Sequence, residues 1–481
     1  MTASYQRRAK IVATVGPASR SVKQIAALAQ AGADVIRVNT SHLTPEEAGR
    51  LYQDLDKARQ KAGIEFATLV DLQGPKLRLA NSFEAFKVKV GDSVTFADAT
   101  HAADGQVPVA IKNFARQVAA GQRIVLGDAT PQLTITAADG LTVTATVEKG
   151  GRIRPRMGIT VPGGFQDLPA LTERDLAHLQ VAVLYADWVA LSFVKRPEDV
   201  RLLRDALRIR DCQARIIAKI ERADALDHLE GIVAESDGVM VARGDLGVEL
   251  GLAEVPFAQD RIISEAQRQA KTVITATQVL ESMITADAPT RAECADIARA
   301  LVEGTSALML SAETATGEHP DLVVETMSDL IAHAERNLVW EARQIPEGDQ
   351  DVSSLVHSAD RLAADQNVQA VIIPTDSGRT ARMAASLARQ HLIALCPDPA
   401  VRRQLALERG VRPIAWDGEH GAYLPVTVLQ HAIDQGAVTA DQRVVVVWNH
   451  THDRYDNPVQ LVAALQLQPA TETRPAAPVS A

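Results

Sequence analysis

An alternation of short β-branched runs and amphipathic stretches, broken once and then resumed, constrains this 481-residue chain more than any other feature. Lys10–Val15 is a β-branched run stopped by Gly16-Pro17. Ser21–Ala31 then carries Val22, Ile25, Leu28 and Ala29 on one helical face before Gly32. Asp34–Asn39 reads as a second strand, Pro45–Lys61 as a helix capped by Thr44, and Ala67–Asp71 as a third strand. From about Lys76 to Arg156 the chain turns Val/Thr-rich, with Gly91-Asp92 and Asp139-Gly140 turn signals. That predicts a small, mostly antiparallel β domain inserted into the alternating unit. Strands are expected again at Trp188–Phe193, Arg215–Ile220, Val239–Ala242, Thr272–Ala276 and Ala307–Leu310. The intervening helices are expected at Asp175–Leu184, Glu198–Arg208, Ala223–Ala234, Pro256–Ala270 and Arg291–Val302. Three strands before the insertion and five after it make the eight units of a (β/α)8 barrel, an α/β fold; an open doubly wound sheet is the alternative.

The expected division is a TIM barrel from residues 1–75 and 158–340, an inserted small β-barrel domain over 76–157, and a C-terminal α/β module over 341–467. The module carries apolar runs at Val368–Ile373, Leu392–Leu395 and Val444–Trp448, and the Pro/Ala/Thr-rich stretch 468–481 reads as a disordered tail. A net charge of −10 leaves no basic field for nucleic acid or an anionic membrane, and 4% aromatic residues offer few stacking platforms. Cys212, Cys294 and Cys396 are odd in number and widely spaced, as in reduced thiols. Met1–Lys10 lacks an apolar secretory core, and the longest near-apolar run, Val181–Val194, is broken by Asp187. The expectation is a soluble, cytoplasmic protein.

Barrel active sites lie at the C-terminal ends of the strands, and those ends are polar here. The second strand runs into Arg37, Asn39, Ser41 and His42, and the third ends in Asp71. The fifth carries Lys219 and Glu221, which point to the same side because one residue separates them. The sixth leads into Arg243, Gly244 and Asp245, the seventh into Thr277 and Gln278, the eighth into Ser311 and Glu313. Two carboxylates with a lysine and an arginine suggest a divalent cation neutralising an anionic, phosphorylated substrate. Arg37 suits bidentate phosphate contacts, and Gly244 lets backbone N–H groups approach an anion.

These residues sit in strings that resemble the pyruvate kinase family: Ile11–Ser19 (IVATVGPAS), Arg37–His42 (RVNTSH), Asp71–Arg78 (DLQGPKLR), Ala218–Glu221 (AKIE) and Met240–Gly247 (MVARGDLG). Ile274–Met283 (ITATQVLESM), Pro289–Glu293 (PTRAE) and Met309–Thr314 (MLSAET) continue the series in family order. The resemblance implies a glycolytic phosphotransferase that moves the phosphoryl group of phosphoenolpyruvate to ADP and protonates the enolate to pyruvate. It implies that Glu221 and Asp245 hold Mg²⁺ (or Mn²⁺), that Lys219 and Arg37 meet the phosphoryl group, that the Gly244 and Asp245 amides hold the substrate carboxylate, and that Thr277 assists protonation. Asn39, His42 and Arg78 would meet the nucleotide.

Departures from the pattern matter. Members that require K⁺ have an acidic residue at Lys76 and Thr-Lys at Leu72-Gln73; Asn39, Ser41, Asp71 and the Leu72 carbonyl would otherwise cradle that ion. A fixed lysine charge predicts that K⁺ is not required. The family's Lys-Gly in the insert is Met157-Gly158, beside Arg156, and its lid motif is reduced to Gly127-Asp128-Ala129, which puts nucleotide contacts from the lid in question. In the C-terminal module, Thr375–Thr380, with Ser377, Gly378 and Arg379, reads as a phosphate nest or as an ordinary helix cap. The glycine-free loop Trp448–Asn457 argues against a tight fructose bisphosphate site and leaves a phosphomonoester effector. The family is usually homotetrameric. Rival readings are a Schiff-base barrel aldolase or lyase built on Lys219 and a catalytically dead regulatory protein.

Overall fold

The computed structural model describes residues 7–111, 113–127, 129–165, 168–338, 350–368, 370–387, 389–416, 425–450 and 459–466. The expected tail over 468–481 lies outside them, as do Asp128 and residues 451–458.

Eight parallel strands close into a barrel: Lys10–Val15, Val35–Asn39, Ala67–Asp71, Trp188–Leu191, Arg215–Ile220, Gly238–Ala242, Thr272–Ala276 and Ala307–Leu310. The first pairs with both the second and the eighth, so no edge is left open. The helices start where their caps predict. Ser21 with Gln24, Thr44 with Glu47, Thr172 with Asp175 and Thr290 with Glu293 all form capping boxes, each worth about 1 kcal/mol.

Local chemistry explains the shifted boundaries. Asp34 stays out of the second strand because its carboxylate accepts from the Ile11 amide and from Arg7, both at 2.8 Å. The fourth strand stops at Leu191, since Phe193 has φ +56°. The helix expected over Ala223–Ala234 is instead a 3₁₀ turn, Asp224–Leu226, and a short helix, Leu229–Glu235. There Arg222 grips Asp224 at 2.6 and 2.9 Å and holds the turn open.

The insert is a half-barrel: a mixed six-stranded sheet with a two-stranded ribbon, Phe86–Val88 against Gly151–Ile153. Among the insert's described residues only Ser93–Asp98 and Val107–Val109 pair in parallel. Phe96, Phe114 and Phe165 fill its own core. Ile159–Thr160, placed with the barrel in the sequence division, pairs with the insert strand Arg123–Leu126.

The C-terminal module is a five-stranded sheet in the order Val411–Ala415, His391–Cys396, Ala370–Pro374, Val444–His450, Val459–Leu465, the last strand antiparallel. It is joined to the barrel by packing. Leu407 and Ala406 enter the barrel's interior core beside Val12, Trp188, Ile217 and Met309. The Trp188 indole donates to the Gln404 carbonyl at 3.1 Å, Lys10 to the Val411 carbonyl at 2.7 Å, and Arg403 binds buried Asp187 at 2.9 Å. The module therefore plugs the end of the barrel opposite the polar rim.

Candidate active site

The strand ends bring four charged side chains into one chain of contacts, with a further pair beside it. Arg37 reaches Asp71 through Nε at 2.8 Å and NH2 at 2.7 Å, and its NH1 donates to the Thr14 hydroxyl at 2.9 Å. Lys219 donates to the other Asp71 oxygen at 3.1 Å, to Ser192 at 2.7 Å and to Glu221 at 2.9 Å. The second Glu221 oxygen accepts the Phe193 amide at 2.8 Å. Asp245 opens the helix Arg243–Leu250 after the sixth strand, and Lys76 lies 3.8 Å from it.

Arg37, Asp71, Lys219 and Glu221 are all buried, so each charge survives only through its partners. Burial opposes ionised Asp71, but Lys219 and Arg37 outweigh it and hold the carboxyl below its ordinary range. Burial likewise opposes the Lys219 ammonium, and Asp71 with Glu221 reverses this, holding it protonated well above the usual lysine range. Burial pushes Glu221 upward; Lys219 compensates only in part, and the neighbouring Asp245 carboxylate adds to the upward push.

The seventh strand ends in strain. Thr277 and Gln278 have φ of +68° and +53°, conformations costing roughly 1–2 kcal/mol each for L residues. Arg243 pins them by donating to the carbonyls of Ala276, Thr277 and Gln278 while pairing with Asp296 at 2.6 Å. The Thr277 hydroxyl, so placed, accepts the Gly244 amide at 2.9 Å and donates to the Ala276 carbonyl at 2.6 Å. Strand-end chemistry alone missed this clamp role for Arg243. It also missed Ser192, which joins Lys219 to the Leu72 carbonyl at 2.7 Å. Its only signal was a hydroxyl just past the fourth strand.

The remaining candidates divide. Asn39 accepts the Ser41 amide at 3.1 Å, and Thr40 donates to the Asp71 carbonyl at 2.8 Å, so that turn is folded onto the charge network. His42 is exposed on the same turn. Arg78 donates to the Arg156 carbonyl at 3.1 Å. Between rim and insert lies a cavity of about 740 Å³ lined by Lys76, Arg78, Arg156, Lys195, Arg222 and Asp245, among others. Its cations outnumber its acids, which suits a polyanion. Thr375–Thr380 lies far off in the C-terminal module; the Thr375 hydroxyl already accepts the Gly378 amide at 3.0 Å and Ser377 accepts Arg379's at 3.4 Å. Both contacts shape the turn that leads into the helix Arg379–Leu387.

Among the described residues no three His, Cys, Asp or Glu side chains cluster as a metal cage. Glu221 and Asp245 still fit a hard divalent ion, which binds through one or two carboxylates and completes its shell with substrate oxygens and water. Their mutual repulsion, visible in the upward push on Glu221, is what such a cation relieves. Among the described residues no helix is long and apolar enough to cross a membrane.

Fold and rim together define a (β/α)8 enzyme with an inserted β lid, built to hold a phosphorylated anion. The model of the pyruvate kinase barrel domain matches residues 6–324, and that of the pyruvate kinase alpha/beta domain matches residues 353–455. A pyruvate kinase of Corynebacterium efficiens is 40% identical over 415 residues, covering 85% of this chain and 86% of that one. One from Thermotoga maritima is 36% identical over 414 residues, covering 85% and 88%. The crystal structure of a pyruvate kinase from Cryptosporidium parvum superposes with a TM-score of 0.87 over 97% of both chains, at 27% identity. The chain belongs to the pyruvate kinase family, and its activity is that of a phosphotransferase.

Proposed function

We propose that this enzyme transfers the phosphoryl group of phosphoenolpyruvate to ADP without needing K⁺, with the Arg37–Asp71–Lys219–Glu221 network as its catalytic centre. The observation that carries the reading is that Asp71 and Glu221 keep Lys219 charged inside a buried site. A permanent ammonium can stabilise a phosphoryl group in flight. It cannot attack a carbonyl, since Schiff-base formation needs the neutral amine; this disfavours the aldolase.

Arg37 takes the equatorial phosphoryl oxygens, and Asp71 orients it. The Gly244 and Asp245 amides at the start of their helix take the substrate carboxylate, the Gly244 amide exchanging its bond to Thr277 for one to the substrate. Thr277, released and still clamped by Arg243, delivers the proton to the enolate, directly or through water. Mg²⁺ or Mn²⁺ held by Glu221 and Asp245 supplies charge neutralisation for the bound anion. Asn39, His42 and Arg78 meet the nucleotide phosphates.

K⁺ independence is supported by what already occupies the would-be cradle. Asp71 is taken by Arg37 and Lys219, the Leu72 carbonyl by Ser192, and Asn39 by the Ser41 amide. Lys76 adds its fixed charge at Asp245. The chain divides as residues 1–75 with 158–340, 76–157 and 341–467, residues 159–165 packing with the insert. It acts in the cytoplasm as a homotetramer, and any effector is a phosphomonoester at Thr375–Thr380.

The test is pyruvate formation coupled to NADH oxidation, with Mg²⁺ in buffer free of K⁺ and NH₄⁺. Full turnover is expected, changing little when K⁺ is added. A large drop without K⁺ removes that half of the reading. Absence of Mg²⁺-dependent pyruvate and ATP formation removes the rest.

A further inference from the structure

The helix Glu173–Ala182 begins where the chain re-enters the barrel from the insert, and its first turn touches two rim turns: the one that the functional reading assigns to the nucleotide and the one that carries Lys76. Arg174 donates through NH2 to the Ser41 and Leu43 carbonyls at 3.1 Å and lies 3.4 Å from that of Thr40. These carbonyls belong to the end of a three-residue 3₁₀ turn; that of Thr40 also accepts the Leu43 amide at 3.2 Å, and at such a terminus a cation is favoured. The next residue, Asp175, is fully buried; one oxygen accepts the Gly74 amide at 3.2 Å and the other caps Thr172. Gly74 has φ +65°, and a side chain there would press on Ser192 at 3.1 Å, so the Asp175 contact holds a turn only glycine tolerates well.

One helical turn thus grips the Thr40–Leu43 turn with Arg174 and the Leu72–Lys76 turn with Asp175. The substrate half of the site meets Arg174 only indirectly, through the Thr40 hydroxyl on the Asp71 carbonyl. Arg37, Lys219 and Glu221 are held by Asp71, Ser192 and the Phe193 amide, and Thr277 by Arg243, with no contact to Arg174.

We propose that Arg174 is a positioning residue for the nucleotide: by bridging the carbonyls of the Thr40–Leu43 turn, it presents Asn39 and His42 to the ADP phosphates in a single conformation. The inference rests on the functional reading above, in that ADP is the substrate those residues meet. It predicts a split, with ADP recognition depending on Arg174 and phosphoenolpyruvate recognition not.

Steady-state kinetics of R174A, R174Q and R174K test this, each variant's folding being checked by thermal melting. In R174A the KM for ADP is expected to rise about tenfold, the scale of one lost charge-assisted hydrogen bond. The KM for phosphoenolpyruvate and kcat should stay near those of the unaltered enzyme. R174Q, with donors but no charge, and R174K should each recover part of the ADP KM, and they carry the test should R174A fail to fold. An unchanged ADP KM, or both KM values rising together, overturns the role. So does restoration by lysine while glutamine behaves like alanine, which would make Arg174 a charge acting on the nucleotide itself. If the unaltered protein forms no pyruvate, the functional reading falls and this inference with it; an active enzyme failing the split loses this inference alone.

Discussion

Lys219 has two energetic roles at once, because it is both the cation offered to the phosphoryl group and the counterion of Asp71 and Glu221. Lys219→Met should therefore lower kcat at least about 100-fold while leaving Mg²⁺-dependent phosphoenolpyruvate binding measurable by calorimetry. It should also destabilise the fold by about 3–5 kcal/mol, since two buried carboxylates lose their partner. Retained turnover would remove Lys219 from the chemistry. Lys76 is different: it is partly exposed and 3.8 Å from Asp245, so its removal threatens the site's charge and not the fold. Lys76→Glu should lose most of its activity in K⁺-free buffer and regain a substantial part when K⁺ is supplied. A variant indifferent to K⁺ in both states would show that Lys76 is not the substitute charge.

At the scale of elements, burial ties helices to strands through single carboxylates. Asp237, between the short helix Leu229–Glu235 and the sixth strand, accepts the Ile216 amide at 2.9 Å and pairs with Arg215 at 3.0 Å and Arg204 at 3.2 Å. Burial alone would raise its carboxyl, but the two guanidinium groups prevail and hold it below its ordinary range. A depressed folded value means that its stabilisation is complete above about pH 5 and is lost as pH falls through the folded value. Asp237→Asn should thus cost about 2–3 kcal/mol at pH 7 and flatten the acid limb of the stability curve, read by urea unfolding between pH 7 and 3. An unchanged acid limb would mean that the pair contributes nothing. Such ties explain what was legible in the sequence. Strand count, caps and the Lys219–Glu221 alternation are local periodicities, so they could be read directly. The broken helix after Ala223 could not, because it depends on Arg222 folding back onto Asp224 and onto the Gly164 carbonyl of the insert. Nor could the Arg243 clamp, whose acceptors lie some thirty residues further along.

The whole molecule is a barrel closed at both ends by other parts of the same chain, the lid over the catalytic rim and the C-terminal module under the opposite one. The lower closure was illegible in the sequence because Leu407 looks like any apolar residue of its own module, yet it packs with the barrel interior. Around it the contacts are specific: Arg403 on Asp187, Gln404 on the Trp188 indole and the Gln213 carbonyl, Arg402 on Glu65. Arg8 and Arg409 both converge on Glu335 beside them. A side chain fully inserted into a barrel of eight strands cannot be shortened without leaving a cavity that rigid strands do not fill. Leu407→Ala should therefore cost about 3–4 kcal/mol, and the loss should be borne by the barrel as well as by the module. Hydrogen exchange separates the two cases. Faster exchange at the amides of Lys10–Val15, Trp188–Leu191 and Ala307–Leu310, together with those of Val411–Ala415, is the expected result. Loosening confined to residues 370–466 would show that the barrel is closed without the plug, and that the module is docked at its surface and not built into its core.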